Sequence, residues 1–243
     1  MILEGFISIK SALKAGNRQV NKVMVSNKKR TRKSSYMKKL CNELGVEVNF
    51  VNPEFLEGYN GNTHGGFIAD VEPRTYSTVD EILEKGKYFW LDGVEDPYNF
   101  GSIIRTLFAS GVRGLIIDSR DWTNVNAVIT KASAGCFEKM NIAISNSSTE
   151  TADVIKNKGF KIYATIKSDN SIDLYETDFA EEAVIVIGGE RRGINSELLS
   201  LCDSEVHISY GREFGYSLPA TIASSIISFE LYRQVFEKET KNQ

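Results

Sequence analysis

From residue 87 onward, short apolar runs alternate with amphipathic stretches so regularly that few folds remain open. Runs at 88–94 (YFWLDGV), 114–118 (GLIID), 160–166 (FKIYATI), 183–187 (AVIVI) and 205–208 (EVHI) read as strands, with a further candidate at 139–142. Between them the spacing predicts helices near 99–110, 124–134, 148–158 and 195–201, and a long one from 217 to about 238. Strand–helix repeats of this kind pack as a largely parallel sheet with helices on both faces. Such sheets bind ligands outside the carboxyl ends of their strands, so the loops that follow strands hold the candidate chemistry.

The first 71 residues form a smaller α/β pattern. A short helix starts around Ser8–Lys14, Val23–Val25 is a brief strand, and Ser34–Leu44 is amphipathic through Met37, Leu40, Cys41 and Leu44, with Gly45 as its stop. Residues 46–51 alternate with period two and 67–71 read as another strand. Residues 72–86 are polar and contain Pro73 and Gly86, with a short helix expected near 78–85. The expected organisation is a domain at 1–73, a linker at 74–86 and a second domain at 87–243.

Charge adds a second constraint. The 243 residues carry 29 Lys+Arg against 32 Asp+Glu, a net charge of −3, unlike the basic domains that bind nucleic acid. The total conceals a partition. Residues 1–42 contain 11 Lys/Arg and one acid, Glu4, or +10; the remainder has 18 basic and 31 acidic side chains, or −13. A basic segment on an acidic body suits a polyanion partner, and Lys28, Lys29, Arg30, Arg32 and Lys33 form its densest run. An ordinary solvated face is the alternative.

Other classes drop out. No apolar run reaches the ~18 residues of a membrane span, and the N-terminus lacks the basic-then-apolar pattern of a signal peptide. Cys41, Cys136 and Cys202 lack Cys-x-x-Cys spacing and read as reduced, buried thiols of a cytoplasmic protein. With His64 and His207 far apart, a zinc site has almost no ligands, and no metal is expected.

Three loops after strands stand out. In the first, Asp92–Arg105, Asn99 is a candidate N-cap and Phe100, Ile103, Ile104, Leu107 and Phe108 form an apolar stripe. Gly101 and Arg105 share a face away from that stripe. A side-chain-free patch beside an Arg at a helix start suits an anionic partner, although a solvated Arg is the plainer reading. The second loop, Gly188-Gly189-Glu190-Arg191-Arg192-Gly193, follows a buried strand. Its glycine spacing and late position exclude the dinucleotide-binding fingerprint. The third, His207–Ala220, opens the last helix, with Ser217 as candidate N-cap and Pro219 in the first turn. Ala220, Ser224 and Ser228 make a small-residue stripe suited to close helix contact, within the fold or between protomers.

Taken in order, the three loops resemble the SpoU, or TrmH-type, RNA ribose methyltransferases of the SPOUT superfamily. Asn99-Phe-Gly101-Ser-Ile-Ile-Arg105 fits the family's N-x-G-x-x-x-R, Gly188-Gly-Glu190-Arg-Arg-Gly193 fits G-x-E-x-x-G, and Ser217-Leu218-Pro219 stands where the family has S-L-N. His64-Gly65-Gly66-Phe67 is similar to the H-Q-G and strand that end the family's substrate domain. The resemblance implies a trefoil-knotted catalytic domain, a homodimer, S-adenosylmethionine as cofactor and RNA, foremost ribosomal RNA, as substrate. It places Asn99, Arg105, Glu190 and Ser217 at the reaction site. It places Thr165, Gly188, Ile208 and Leu218 against the cofactor, and Lys28, Lys29, Arg30, Arg32 and Lys33 on RNA. Two positions depart from the pattern: Pro219 replaces the family's Asn, and Ile208-Ser209-Tyr210 replaces I-P-M. The competing expectations are an RNA-binding protein of the same fold that has lost turnover, and a methyltransferase acting on transfer RNA.

Overall fold

The computed structural model describes residues 1–28, 31–59 and 64–241. Along the chain the elements are β1 (Ile2–Glu4), α1 (Phe6–Ala15), β2 (Val20–Ser26), α2 (Arg32–Glu43), β3 (Glu47–Val51), α3 (Pro53–Glu57), β4 (Phe67–Val71) and α4 (Val79–Ile82). Next come β5 (Lys87–Asp92), α5 (Pro97–Ala109), β6 (Gly114–Asp118), α6 (Asn126–Ala132), β7 (Asn141–Ser145), α7 (Ser148–Asn157) and β8 (Lys161–Thr165). The chain ends with β9 (Ile172–Asp173), β10 (Ala183–Gly188), α8 (Ser196–Ser200), β11 (Ser204–His207) and α9 (Ala220–Lys241).

These elements form two compact units. The first joins Met1–Thr75 to Asp121–Lys139; the second joins Tyr76–Arg120 to the chain from Met140 on. The first has a four-stranded sheet in the order β1-β4-β2-β3, with β4 antiparallel to β1 and β2, and β3 parallel to β2. Leu3, Ile9, Val23, Met37, Cys41, Ala69 and Val71 fill its core.

Residues 121–139, expected inside the 87–243 domain, pack with the first unit instead. The reason is a buried ion pair. Arg18 Nε meets Glu138 Oε2 at 2.9 Å with both side chains fully buried, and Arg18 Nη2 also donates to Asn126 Oδ1 at 2.8 Å. The Thr130 hydroxyl donates to Glu138 Oε1 at 2.9 Å. A buried pair survives only when its remaining polar atoms are satisfied in this way.

The second unit carries a seven-stranded sheet in the order β7-β6-β5-β10-β8-β11-β9, parallel at every pairing. The expected α/β architecture, a mostly parallel sheet preceded by a small α/β domain, is the observed one. The centre is β5 beside β10, both buried along nearly their whole length, as their unbroken apolar sequences require. Helix α9 packs on α5.

Two helix starts differ from expectation. Asp96, not Asn99, caps α5: its carboxylate accepts the Asn99 N–H at 2.8 Å, with Pro97 as the first helical residue. Helix α9 begins at Ala220, three residues beyond Ser217, where the Pro219 carbonyl accepts the N–H groups of Ile222 and Ala223. The Ala220–Ser224–Ser228 stripe is buried within the fold. Among the described residues, no helix is long and apolar enough to cross a membrane.

Candidate active site

Strand β5 ends at Asp92 and β10 at Gly188, paired side by side, and the geometry of the site starts from that pairing. The Asp92 carbonyl accepts the Gly189 N–H at 2.6 Å. The Asp92 carboxylate, almost wholly buried, takes Arg192 Nη2 at 2.8 Å and the Asn195 N–H. One residue therefore fixes both ends of the loop 189–195, Gly189 through its carbonyl and Asn195 through its carboxylate. A Cβ at Gly188 would strike the Gly193 backbone, and one at Gly189 the Gly93 carbonyl. Close backbone approach, not left-handed geometry, is what demands glycine there. Asp118, ending β6, lies 3.8 Å from the same Arg192. Burial and then the Asp92 charge raise its carboxyl above the usual range, against the pull of the Gly93 N–H and Arg192.

Loop 189–195 then presents Glu190 to α5. Asn99, freed from capping, donates from Nδ2 to Glu190 Oε1 at 3.0 Å. This bond joins the first and second loops singled out in the sequence across 91 residues.

Glu190 walls two cavities. The larger, about 500 Å³, lies between Thr165, Gly188, Val206, Ile208, Ser217 and Leu218. The smaller, about 150 Å³, lies between Gly93, Asp96, Asn99, Glu190 and Arg191. Ala220 lines both. Ligand sites are typically ~300–1,000 Å³, apolar with a few aimed polar groups, and the larger cavity has that character. Ile187, Val206 and Ile208 supply apolar wall, Glu190 a carboxylate and Lys167 an ammonium. The Thr165 hydroxyl donates to the Val186 carbonyl at 2.7 Å, leaving its oxygen to accept. The Leu218 N–H is donated to the Tyr210 hydroxyl at 3.2 Å.

The structure thus gathers Asn99, Glu190, Ser217, Thr165, Gly188, Ile208 and Leu218 around two adjoining hollows. Arg105 is exposed on α5, lines neither cavity, and makes no hydrogen bond or ion pair among the described residues. Of the basic run, Lys28, Arg32 and Lys33 are exposed in the first unit; Lys29 and Arg30 lie outside the described residues. Sequence reasoning missed Asp92. An acid ending a buried strand was its one signal, and its partners stand 100 and 103 residues away. Among the described residues no group of three or more His, Cys, Asp or Glu could hold a metal.

The family model for the SpoU rRNA methylase family matches residues 86–229, more than half the chain and every loop just described. The chain belongs to the SpoU rRNA methylase family. A second model, RNA 2′-O ribose methyltransferase substrate binding, matches residues 2–77. A Staphylococcus saprophyticus protein assigned to the TrmH family of tRNA/rRNA methyltransferases is 29% identical over 241 residues, 96% of each chain. Two solved structures share the fold of this SpoU-family chain. The SpoU methyltransferase AviRb from Streptomyces viridochromogenes, in complex with the cofactor AdoMet, has a TM-score of 0.81 at 22% identity, over 97% of this chain and 90% of that one. An AdoMet-bound rRNA methyltransferase from Sinorhizobium meliloti has a TM-score of 0.79 at 24% identity, over 96% of this chain and 87% of that one.

Proposed function

We propose that this SpoU-family chain is a cytoplasmic RNA methyltransferase that moves the methyl group of S-adenosylmethionine to a ribose 2′-hydroxyl of ribosomal RNA, as a homodimer with a trefoil-knotted catalytic domain. The observation that carries the reading is the Asn99–Glu190 hydrogen bond on the shared wall of the two cavities. The larger cavity fits the cofactor in size and donor set. Thr165, Gly188, Ile208 and Leu218 are the residues to hold it, and its sulfonium supplies the methyl group. The smaller hollow, with Asn99 and Glu190, receives the ribose. Lys28, Lys29, Arg30, Arg32 and Lys33 grip RNA from the domain at 1–73.

In-line displacement requires an oriented, activated hydroxyl. Glu190 accepts the hydroxyl proton, and the Asn99 amide holds that carboxylate in place. Ser217 hydrogen-bonds beside the nucleophile. A guanidinium has no free lone pair to take a proton and makes a poor general base, so Arg105 has another task. From its exposed place on α5, outside both hollows, its guanidinium clamps the phosphate next to the target and so helps align the hydroxyl. The test is methyl incorporation from labelled cofactor into unmodified ribosomal RNA, followed by mapping of 2′-O-methyl positions. Arg105→Ala should abolish transfer and leave the fold intact; near-normal turnover would remove Arg105 from the mechanism.

Pro219 favours a second reading. It puts a ring where the family pattern has an amide side chain, so an RNA-binding protein without turnover is the alternative. Failure to bind S-adenosylmethionine together with absence of incorporation into RNA would select it. Incorporation into transfer RNA and not ribosomal RNA would reassign the substrate.

A further inference from the structure

The loop that closes the larger cavity carries three aromatic rings in seven residues, Tyr210-Gly-Arg-Glu-Phe214-Gly-Tyr216, immediately before Ser217. The rings are linked. Tyr210 is anchored because its hydroxyl accepts the Leu218 N–H at 3.2 Å. Phe214 stands edge-on to Tyr210 with centroids 5.8 Å apart, and Tyr216 edge-on to Phe214 at 5.6 Å. All three line the cavity, yet Phe214 is 51% and Tyr216 78% exposed. Edge-to-face contact sets the edge of one ring on one face of the other, so the single contact with Phe214 covers at most one face of Tyr216 and leaves the other to solvent. Holding large rings in water at a cavity mouth is unfavourable unless something covers them.

We propose that Tyr216, backed by Phe214 and Tyr210, is a stacking platform for an unpaired nucleobase beside the ribose that enters the site. The inference rests on the RNA-methyltransferase reading above. A 2′-hydroxyl reaches an enclosed cavity only when its nucleotide leaves the helical stack, and that step costs the stacking of its neighbours. An open aromatic face at the rim returns that stacking to any base, because every base has a π-face. Arg212, exposed between the rings, adds a positive charge for the adjoining phosphate. A strictly duplex RNA offers no free base face and gains nothing from the platform.

The full-length chain is titrated into a short single-stranded RNA carrying one 2-aminopurine, and into the same strand annealed to its complement. Stacking of the fluorescent base on Tyr216 quenches its emission. Tyr216→Ala should weaken single-strand binding about tenfold and remove the quench. Tyr216→Phe should retain both, and duplex affinity should not change in either variant; because Tyr216 also lines the cofactor cavity, RNA binding is read at saturating S-adenosylmethionine and cofactor affinity is measured separately. Tyr216 is 78% exposed, so circular dichroism should report unaltered folding. An equal loss on duplex RNA, an unchanged single-strand affinity, or a loss confined to cofactor binding would each overturn the platform; the last would mean that the rings cover the cofactor. The two readings fail separately. Base-dependent quenching without methyl transfer would leave the platform standing without the enzyme, and transfer with an unchanged KM for RNA in Tyr216→Ala would do the reverse.

Discussion

The contact between Asn99 and Glu190 depends on an exchange of duties one turn earlier. Asp96 caps α5, so the Asn99 side chain is free to reach another loop. Asn99→Ala removes one hydrogen bond from a partly exposed pair, and folding stability should fall by no more than about 1 kcal/mol. Turnover should fall much further, roughly tenfold to a hundredfold, if Glu190 must be held to accept the proton; single-turnover methyl transfer beside thermal unfolding of the same variant measures both. Thiols give a second residue-scale expectation. Burial pushes Cys41 up to about 11, and burial, helped by Asp203, pushes Cys202 up to about 12. Their thiolate fractions at pH 8 are therefore on the order of a hundredfold or more below that of an ordinary thiol. In native protein both should alkylate far more slowly than after unfolding, as site-resolved mass spectrometry can read. Equal native and unfolded rates would show that neither thiol is shielded.

At the scale of elements, what was legible in the sequence is what periodicity encodes. Strands β5, β6, β8 and β10 and helices α2, α5 and α7 fall where their apolar spacing put them, within a few residues. Elements too short to show a period were not legible: β1 has three residues, β9 two and α3 five. Ser217 read as a cap because Ser before a proline and an apolar run is a cap signal, yet the chain turns into α9 only at Ala220. The pairing of Arg18 with Glu138 was equally invisible, since no local pattern links residues 120 apart. That pair holds 121–139 in the first unit, and it yields a prediction about the element as a whole. Arg18→Met leaves Glu138 buried and unpaired, which should cost about 3–5 kcal/mol. Arg18→Met with Glu138→Met restores an apolar fit and should recover most of the loss. Denaturant unfolding of the two variants decides it; equal destabilisation by both would show that packing, not the orphaned charge, sets the cost.

For the whole molecule, both proposed partners, RNA and a second copy of the chain, have visible surfaces. Helix α2 begins with Arg32 and Lys33 and has no acid in its first turn, so cations sit at the positive end of the helix dipole, where they cost stability unless an anion answers them. Neutralising Lys28, Lys29, Arg30, Arg32 and Lys33 should weaken RNA binding and flatten its salt dependence, by up to about 0.9 in log–log slope for each phosphate no longer neutralised; an unchanged slope would clear the run of any role on RNA. Helix α9 has two apolar faces. One is the buried small-residue stripe. The other repeats every seven residues, with Ile222, Phe229 and Phe236 at 47%, 49% and 55% exposure and Tyr232 among them at 49%. Tyr232 and Phe236 stack at 6.1 Å, and Tyr98 of α5 is 66% exposed. A seven-residue apolar repeat is the seam by which one helix packs along another. In the proposed homodimer this face is closed by the same face of a second copy, turned by a two-fold axis. Sedimentation should therefore give twice the chain mass of 27.1 kDa. Phe229→Glu with Phe236→Glu should give the single mass, with the fold retained because both rings are exposed. A wild-type chain that sediments as a monomer at micromolar concentration would leave this face to another partner.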